Sequence, residues 1–318
     1  MADPEGDQTP ILEHPAVRQA NRFSDYVVYS LVLIFSIVST ILLVGFGLMA
    51  ALLAEESADL STRDHVLPWP FEFLFNNLGL LIIAIILLFF VMIMVRMMRQ
   101  MYLSNALQVE YSDFAWLREW SNRVAKDLAM PEVEVMITQD PVMNAFAFGF
   151  MKPYTIVLHS GTVRWMSKKH LKAIVVHEMA HIKYKHTAMS MYASLLRMIP
   201  VVGGIFGWLL DFWSRRCEFT SDRLALAYLK DKDLIKEALI CVHVGPDVAS
   251  SFGDIAQQWQ VYKTRGTFNR FTQTFSGHPF LVRRLQHIDR MSVEYGLSKK
   301  SKDSSSDTES EGYNGSDS

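Results

Sequence analysis

The run Ile174-Val-Val-His177-Glu178-Met-Ala-His181-Ile182 places two histidines four residues apart with a glutamate between them. On an α-helix that spacing puts both imidazoles on one face, about a turn apart, where they can share one metal ion. Glu178 projects beside them and can take a proton from a water that the metal has polarised. The pattern therefore points to zinc hydrolysis, with His177 and His181 as ligands and Glu178 as general base.

A catalytic zinc takes three protein ligands and keeps one position open, so a further His, Glu or Asp is needed downstream. His186 is nearest, but a helix continuing from His181 turns its ring away, and Tyr184 and Thr187 stand where a Gly turn and a third His would have to be. His186 is therefore expected to be a solvated surface residue. Glu218, in Arg215-Arg216-Cys217-Glu218-Phe219-Thr220-Ser221-Asp222, is the better candidate. A helix there sets Asp222 one turn from Glu218, where its carboxylate can orient a ligand histidine. An ordinary helix could carry the same acidic pair on its wet face; the histidine motif tips the reading towards metal binding.

These residues must be held by a fold and presented in some compartment. Half of the 318 residues are hydrophobic, 17 are Met, and the net charge is only −2. That balance argues for lipid contact and against a nucleic-acid partner. Two apolar runs, about 26–53 and 73–95, are each long enough to cross a hydrocarbon core of roughly 30 Å as a helix. Arg18, Arg22, Arg96 and Arg99 flank the pair, whereas the connecting loop holds Glu55, Glu56, Asp59, Asp64 and Glu72 against Arg63. The positive-inside rule then predicts a transmembrane hairpin over 26–97 with both ends cytoplasmic. Residues 1–25 read as a polar N-terminal arm, and 299–318 as a disordered Ser-rich acidic tail. Cys217 and Cys241 are too few for a disulfide framework and are expected to be free thiols.

Between the spans and the histidine motif, an amphipathic helix is expected over Asp113–Met130. Short strands follow at Val133–Thr138, Ala145–Phe150 and Tyr154–His159. Ser167 is the expected N-cap of the helix that carries the motif. The fold class is α+β: a mainly helical, zincin-like domain over 98–298 with a small β-sheet, preceded by two transmembrane helices.

Taken together, His177-Glu-Met-Ala-His181, Glu218-Phe-Thr-Ser-Asp222 and His278-Pro279 with Arg284 resemble the HtpX-type membrane zinc metalloproteases, gluzincin relatives of the CAAX prenyl proteases. The resemblance covers about 110–290. It implies one Zn2+ per chain, an oxyanion-stabilising role for His278 and a bracing role for Arg284. Asn144-Ala145-Phe146-Ala147 resembles the family segment that pairs, as an edge strand, with an extended substrate. The implied protein is a multi-pass metalloendopeptidase of the cell membrane. Its catalytic domain faces the cytoplasm, its polypeptide substrates are membrane proteins, and its role is membrane-protein quality control.

The chain departs from that family between His181 and Glu218, where two further spans are usual and only Thr187–Phe212 is apolar. A single crossing would strand Glu218 across the bilayer from His177 and His181. Pro200-Val-Val-Gly203-Gly204 splits the stretch into arms too short to cross twice, so 187–213 is expected to form a re-entrant or interfacial helical hairpin, or else a helical pair packed on the catalytic domain. Two other functions compete: a prenyl-protein (CAAX) protease, disfavoured by the small number of spans, and a non-catalytic zinc-binding membrane scaffold, disfavoured by the intact Glu178.

Overall fold

A computed structural model describes residues 14–58, 78–148, 152–197, 200–249 and 280–297, together with isolated positions between 250 and 279. The first element, α1 (Pro15–Ala20), is capped by the His14 ring, whose Nδ1 accepts from the Ala16 amide at 3.2 Å. Its Ala16, Val17 and Ala20 are buried in the main core. Residues 14–25 are thus not a free arm: their small apolar side chains, a turn apart, give the segment a face that packs.

Helix α2 (Phe23–Ala58) carries the first apolar run, and over Phe23–Gly47 it is long and apolar enough to cross a membrane. The second apolar run is helical as α3 (Leu78–Leu103). Its expected beginning at 73–77 and the acidic loop after Ala58 lie outside the described residues, as does the C-terminal tail from 298.

A four-stranded mixed sheet follows, formed by β1 (Leu107–Gln108), β2 (Val133–Thr138), β3 (Ala145–Phe148) and β4 (Tyr154–His159) in the order β1-β2-β4-β3. β2 and β4 are parallel, with Val133 opposite Tyr154 and Thr138 opposite His159. β3 runs antiparallel to β4, with Ala145 opposite Leu158 and Phe148 opposite Thr155, and forms one edge of the sheet. Helix α4 (Ala115–Asp127) precedes β2, occupying the centre of the segment where helical spacing of apolar residues predicts it.

After β4 come α5 (Ser160–Trp165), α6 (Lys168–Lys183), α7 (His186–Arg197), α8 (Pro200–Leu229), α9 (Lys232–Val244), the single turn α10 (Pro246–Ala249) and α11 (Leu281–Glu294). Ser167 caps α6 as its sequence position predicts, accepting from the His170 amide at 3.3 Å. The core side of α6 is Leu171, Val175, Val176, Met179 and Ile182, all buried. Each such side chain contributes roughly 1.5–3 kcal/mol on burial, so the helix is anchored firmly with His177, Glu178 and His181 on its other side. The remainder is mainly helical, as expected.

The apolar stretch after the motif folds back on itself as α7 and α8, which meet at Pro200. A Cβ on Gly203 would lie 2.3 Å from the Arg197 carbonyl oxygen, so the two helices approach through a position only glycine can occupy. Asp211, buried on α8, accepts from Arg197 and closes the hairpin. Unlike the expected pair of short arms, the second arm does not end near 213. It continues without a break into the helix that carries Glu218, because nothing between Gly207 and Leu229 stops an α-helix once Pro200 has started it.

Candidate metal centre

Three elements meet at the site. Helix α6 contributes His177, Glu178 and His181, α8 contributes Glu218 and Asp222, and α11 contributes Arg284. Among the described residues, His177, His181 and Glu218 form a group whose potential ligand atoms all lie within 4.8 Å of one another. The two Nε2 atoms are 3.3 Å apart. Glu218 Oε2 is 3.4 Å from Nε2 of His177, and its Oε1 is 3.9 Å from Nε2 of His181. Tetrahedral zinc with bonds of about 2.0–2.1 Å spaces neighbouring donors by about 3.3 Å, close to the separation of the two imidazole nitrogens and of His177 from Glu218, while the His181–Glu218 edge is longer at 3.9 Å. Two imidazoles and a carboxylate also match the donor chemistry that would suit a zinc ion, and the group borders a cavity.

Behind the donors is a second tier of contacts. His177 turns its Nδ1 to Asp222 Oδ1 at 3.1 Å, which fixes the tautomer that leaves Nε2 free for metal. Arg284 clamps Asp222 through both guanidinium edges, Nε to Oδ2 at 2.8 Å and Nη2 to Oδ1 at 2.6 Å, and reaches Glu218 Oε2 at 3.0 Å. Asp222 and Arg284, which the sequence placed beside the ligands, are both brought to them.

His186 is a correction. It is buried, and its Nδ1 lies 3.3 Å from Nδ1 of His181, so it does for the second histidine what Asp222 does for the first. The expectation of a solvated residue assumed that α6 continues. It stops at Tyr184, and Lys185 takes a left-handed conformation at φ +58°, which swings the next residue back towards the site. His186 is held there between Tyr184, stacked at 5.7 Å, and the edge of Trp213 at 6.3 Å.

The electrostatics of the metal-free cluster are uneven. Burial alone would lower His177, but its hydrogen bonds to Asp222 and Glu218 outweigh burial and raise it to about 10. Burial dominates at His181, which is lowered to about 4, and pushes His186 well below the ordinary range. Burial also pushes Asp222 upward, yet Arg284 and His177 override it and hold the carboxyl below the usual carboxylate range. Between the two imidazoles of the pair, a proton is therefore held by His177 rather than His181.

The site opens into a cavity of about 1010 Å³. Glu178 lines it beside His177 and His181, and so do Asn144, which precedes the edge strand, and Ala145, Phe146 and Ala147 of β3. Asn144 is itself anchored: its carbonyl accepts from the His159 amide at 3.0 Å and from Thr162 Oγ1 at 2.7 Å. His278, expected to face the reacting carbonyl, lies outside the described residues.

A helix-borne His-Glu-x-x-His pair, completed by a distant glutamate beside an open cavity, is the donor arrangement of a metallopeptidase. The comparison with known proteins makes this specific. Residues 111–292 match the profile of Peptidase family M48, and the chain belongs to that family. Similar proteins include the plastoglobule-localized metallopeptidase 48 of Arabidopsis thaliana chloroplasts, 28% identical over 192 residues, or 54% of this chain and 56% of the relative. A protease HtpX homologue of Chlorobium luteolum is 30% identical over 127 residues, covering 38% of this chain and 43% of its own length. The chain thus spans about half the length of the curated relatives it matches. The crystal structure of S. mikatae Ste24p aligns over 80% of this chain and 65% of its own, with a TM-score of 0.45 and 15% identity.

Proposed function

We propose that the chain is a membrane-anchored zinc metalloendopeptidase that binds one Zn2+ through His177, His181 and Glu218. The observation that carries this reading is the convergence of His177, His181 and Glu218, whose potential ligand atoms lie within 4.8 Å of one another, with Glu178 lining the cavity in front. A zinc ion there would supply Lewis acidity and bring the pKa of water towards neutrality. Glu178 would take the proton of the attacking water and return it to the leaving amine. Asp222 and His186 would keep the two ligand imidazoles in register, and Arg284 would hold Asp222 and Glu218 in place. Strand β3 would pair with the extended substrate, which accounts for Asn144–Ala147 lying along the cavity, and His278 would face the oxyanion.

In the same reading α2 and α3 both cross the bilayer of the cell membrane, the catalytic domain faces the cytoplasm, and the substrates are membrane proteins handled in quality control. The α7–α8 hairpin would lie at or in the cytoplasmic leaflet. The test is Glu178→Gln in detergent-solubilised full-length protein. We expect zinc content to stay at one per chain and cleavage of a casein-like substrate to fall by about 10²–10⁴-fold, the usual weight of a general base. Wild-type cleavage by this variant would refute the assignment.

A further inference from the structure

The cavity in front of the metal centre has a charge pattern that catalysis does not require. Its lining carboxylates, Glu178, Glu218 and Asp222, are all at the metal end. Elsewhere the charged lining is basic: Arg96 and Arg99 from the last turns of α3, and Lys152 from the segment between β3 and β4. Much of the remaining lining is apolar, including Ile174 of α6 and Ala238 and Leu239 of α9.

The three cations are not equivalent. Arg99 is committed to the sheet: its guanidinium donates to Thr155, to the Pro153 carbonyl at 3.3 Å and to Glu134 at 3.4 Å. That anchoring fixes the end of α3 against β4 and sets Arg96, one turn back, at the cavity. Among the described residues Arg96 and Lys152 make no hydrogen bond or ion pair, and both are exposed to the cavity's solvent. Membrane orientation would account for Arg96 at a helix end. It does not account for Lys152, which comes from a different element and lines the same cavity. Two unpaired cations over a low-dielectric apolar wall attract an anion far more strongly than they would on an open surface.

Building on the peptidase reading, we propose that Arg96 and Lys152 form a specificity subsite for an acidic side chain, placed a few residues from the scissile bond of an extended substrate. The apolar wall takes the residues between. The substrate class is then a polypeptide in which a short apolar stretch is flanked by Asp or Glu. Arg99 is the positioning residue for this subsite, acting through the anchoring of α3.

The test uses full-length protein in a neutral detergent and quenched fluorescent peptides that place Glu, or its isostere Gln, at each position on either side of the bond. At one position the Glu peptide should be cleaved with a kcat/KM about tenfold above its Gln partner at low salt. The gain should lie in KM and shrink towards about twofold in 0.5 M salt, as expected for charges that ions can screen. The double variant Arg96→Gln/Lys152→Gln should bring the Glu-to-Gln ratio to about one. Arg96→Glu/Lys152→Glu should invert the preference towards a Lys peptide. Equal cleavage of all Glu and Gln partners by active enzyme overturns the subsite, as does a preference that survives both variants. A third overturning result is a dependence on Arg96 and Lys152 that emerges only when phosphatidylglycerol replaces phosphatidylcholine around the protein, which would assign these cations to lipid phosphate. Failure of the peptidase reading itself looks different: no peptide is cut, and Glu178→Gln is indistinguishable from wild type.

Discussion

Helix α8 carries two clusters of carboxylate and arginine on opposite faces. Residues two apart on a helix point about 200° from one another, so Glu218 and Asp222 look one way and Arg216 and Thr220 the other. On the metal-facing side, Glu218 and Asp222 outnumber the fixed cation Arg284. On the far side the balance is reversed. A single carboxylate, Asp25 at the start of α2, meets Arg216 through Nε at 2.9 Å, the buried Arg223, and Thr220 Oγ1 at 3.1 Å. Arg223 also donates to the Ala20 carbonyl at 2.9 Å, which ties α1 to the same point. The difference shows what each cluster is for. The far side has enough cation to satisfy its acid and joins elements together. The near side has more carboxylate than fixed cation, a balance that the His177 imidazolium or a bound metal ion would complete.

Substitutions on the two faces should therefore separate metal binding from stability. The largest effect is expected from Glu218→Ala, which removes a donor: zinc measured by elemental analysis after dialysis should fall from one per chain towards none, and activity with it. Retention of stoichiometric zinc would erase the distinction between the faces. Next is Arg284→Met, which leaves Asp222 and Glu218 buried beside one another without their cation. Loss of one partner of a buried pair costs about 3–5 kcal/mol, so the thermal midpoint of the metal-free protein should drop steeply.

The proton on His177 gives a third expectation. Because its pKa is raised to about 10 while His181 is lowered to about 4, zinc binding near neutrality must expel one proton. Apparent zinc affinity should rise about tenfold per pH unit between roughly pH 6 and 9, and calorimetry in buffers of different ionisation heat should count close to one proton released. A flat profile would mean that the near side is not balanced by that proton. The smallest effect belongs to the far side: Asp25→Asn leaves Arg223 short of an anionic acceptor and should cost about 1–3 kcal/mol of stability, with zinc affinity within a few-fold of wild type. A zinc defect as large as that of Glu218→Ala would show that the two faces act as one unit.

The sequence displays the near side well and the far side poorly, for physical reasons. His177, Glu178 and His181 are local, and helix periodicity alone brings them together. Glu218 and Asp222 are one turn apart on their own helix, so the pair can be seen, although their approach to α6 depends on the hairpin at Pro200. Three of the four strands show as short apolar runs rich in β-branched and aromatic residues between prolines and glycines, whereas the two-residue β1 is too short to leave a pattern. His186 was missed because α6 ends without Gly, Asn or Pro, at Lys185, a residue type that rarely adopts a left-handed conformation. The buried packing of Tyr184, His186 and Trp213 overrides that local preference, and no pattern along the chain reports it. Asp25 was missed for another reason: its partners Arg216 and Arg223 are nearly two hundred residues away. Arg96 and Lys152 also come from separate elements, and nothing along the chain reports that both line the cavity.

Helix α8 has a mechanical consequence as well. It is one unbroken rod of 30 residues, about 45 Å long, with Glu218 past its middle and the apolar Pro200 end beyond the hairpin. An unbroken helix passes a displacement at one end along its length more readily than two helices joined by a loop would. Asp25 grips this helix at Arg216, Thr220 and Arg223, on both sides of Glu218 in sequence, so a displacement of the apolar end would reach the carboxylate through a segment already tied to α2.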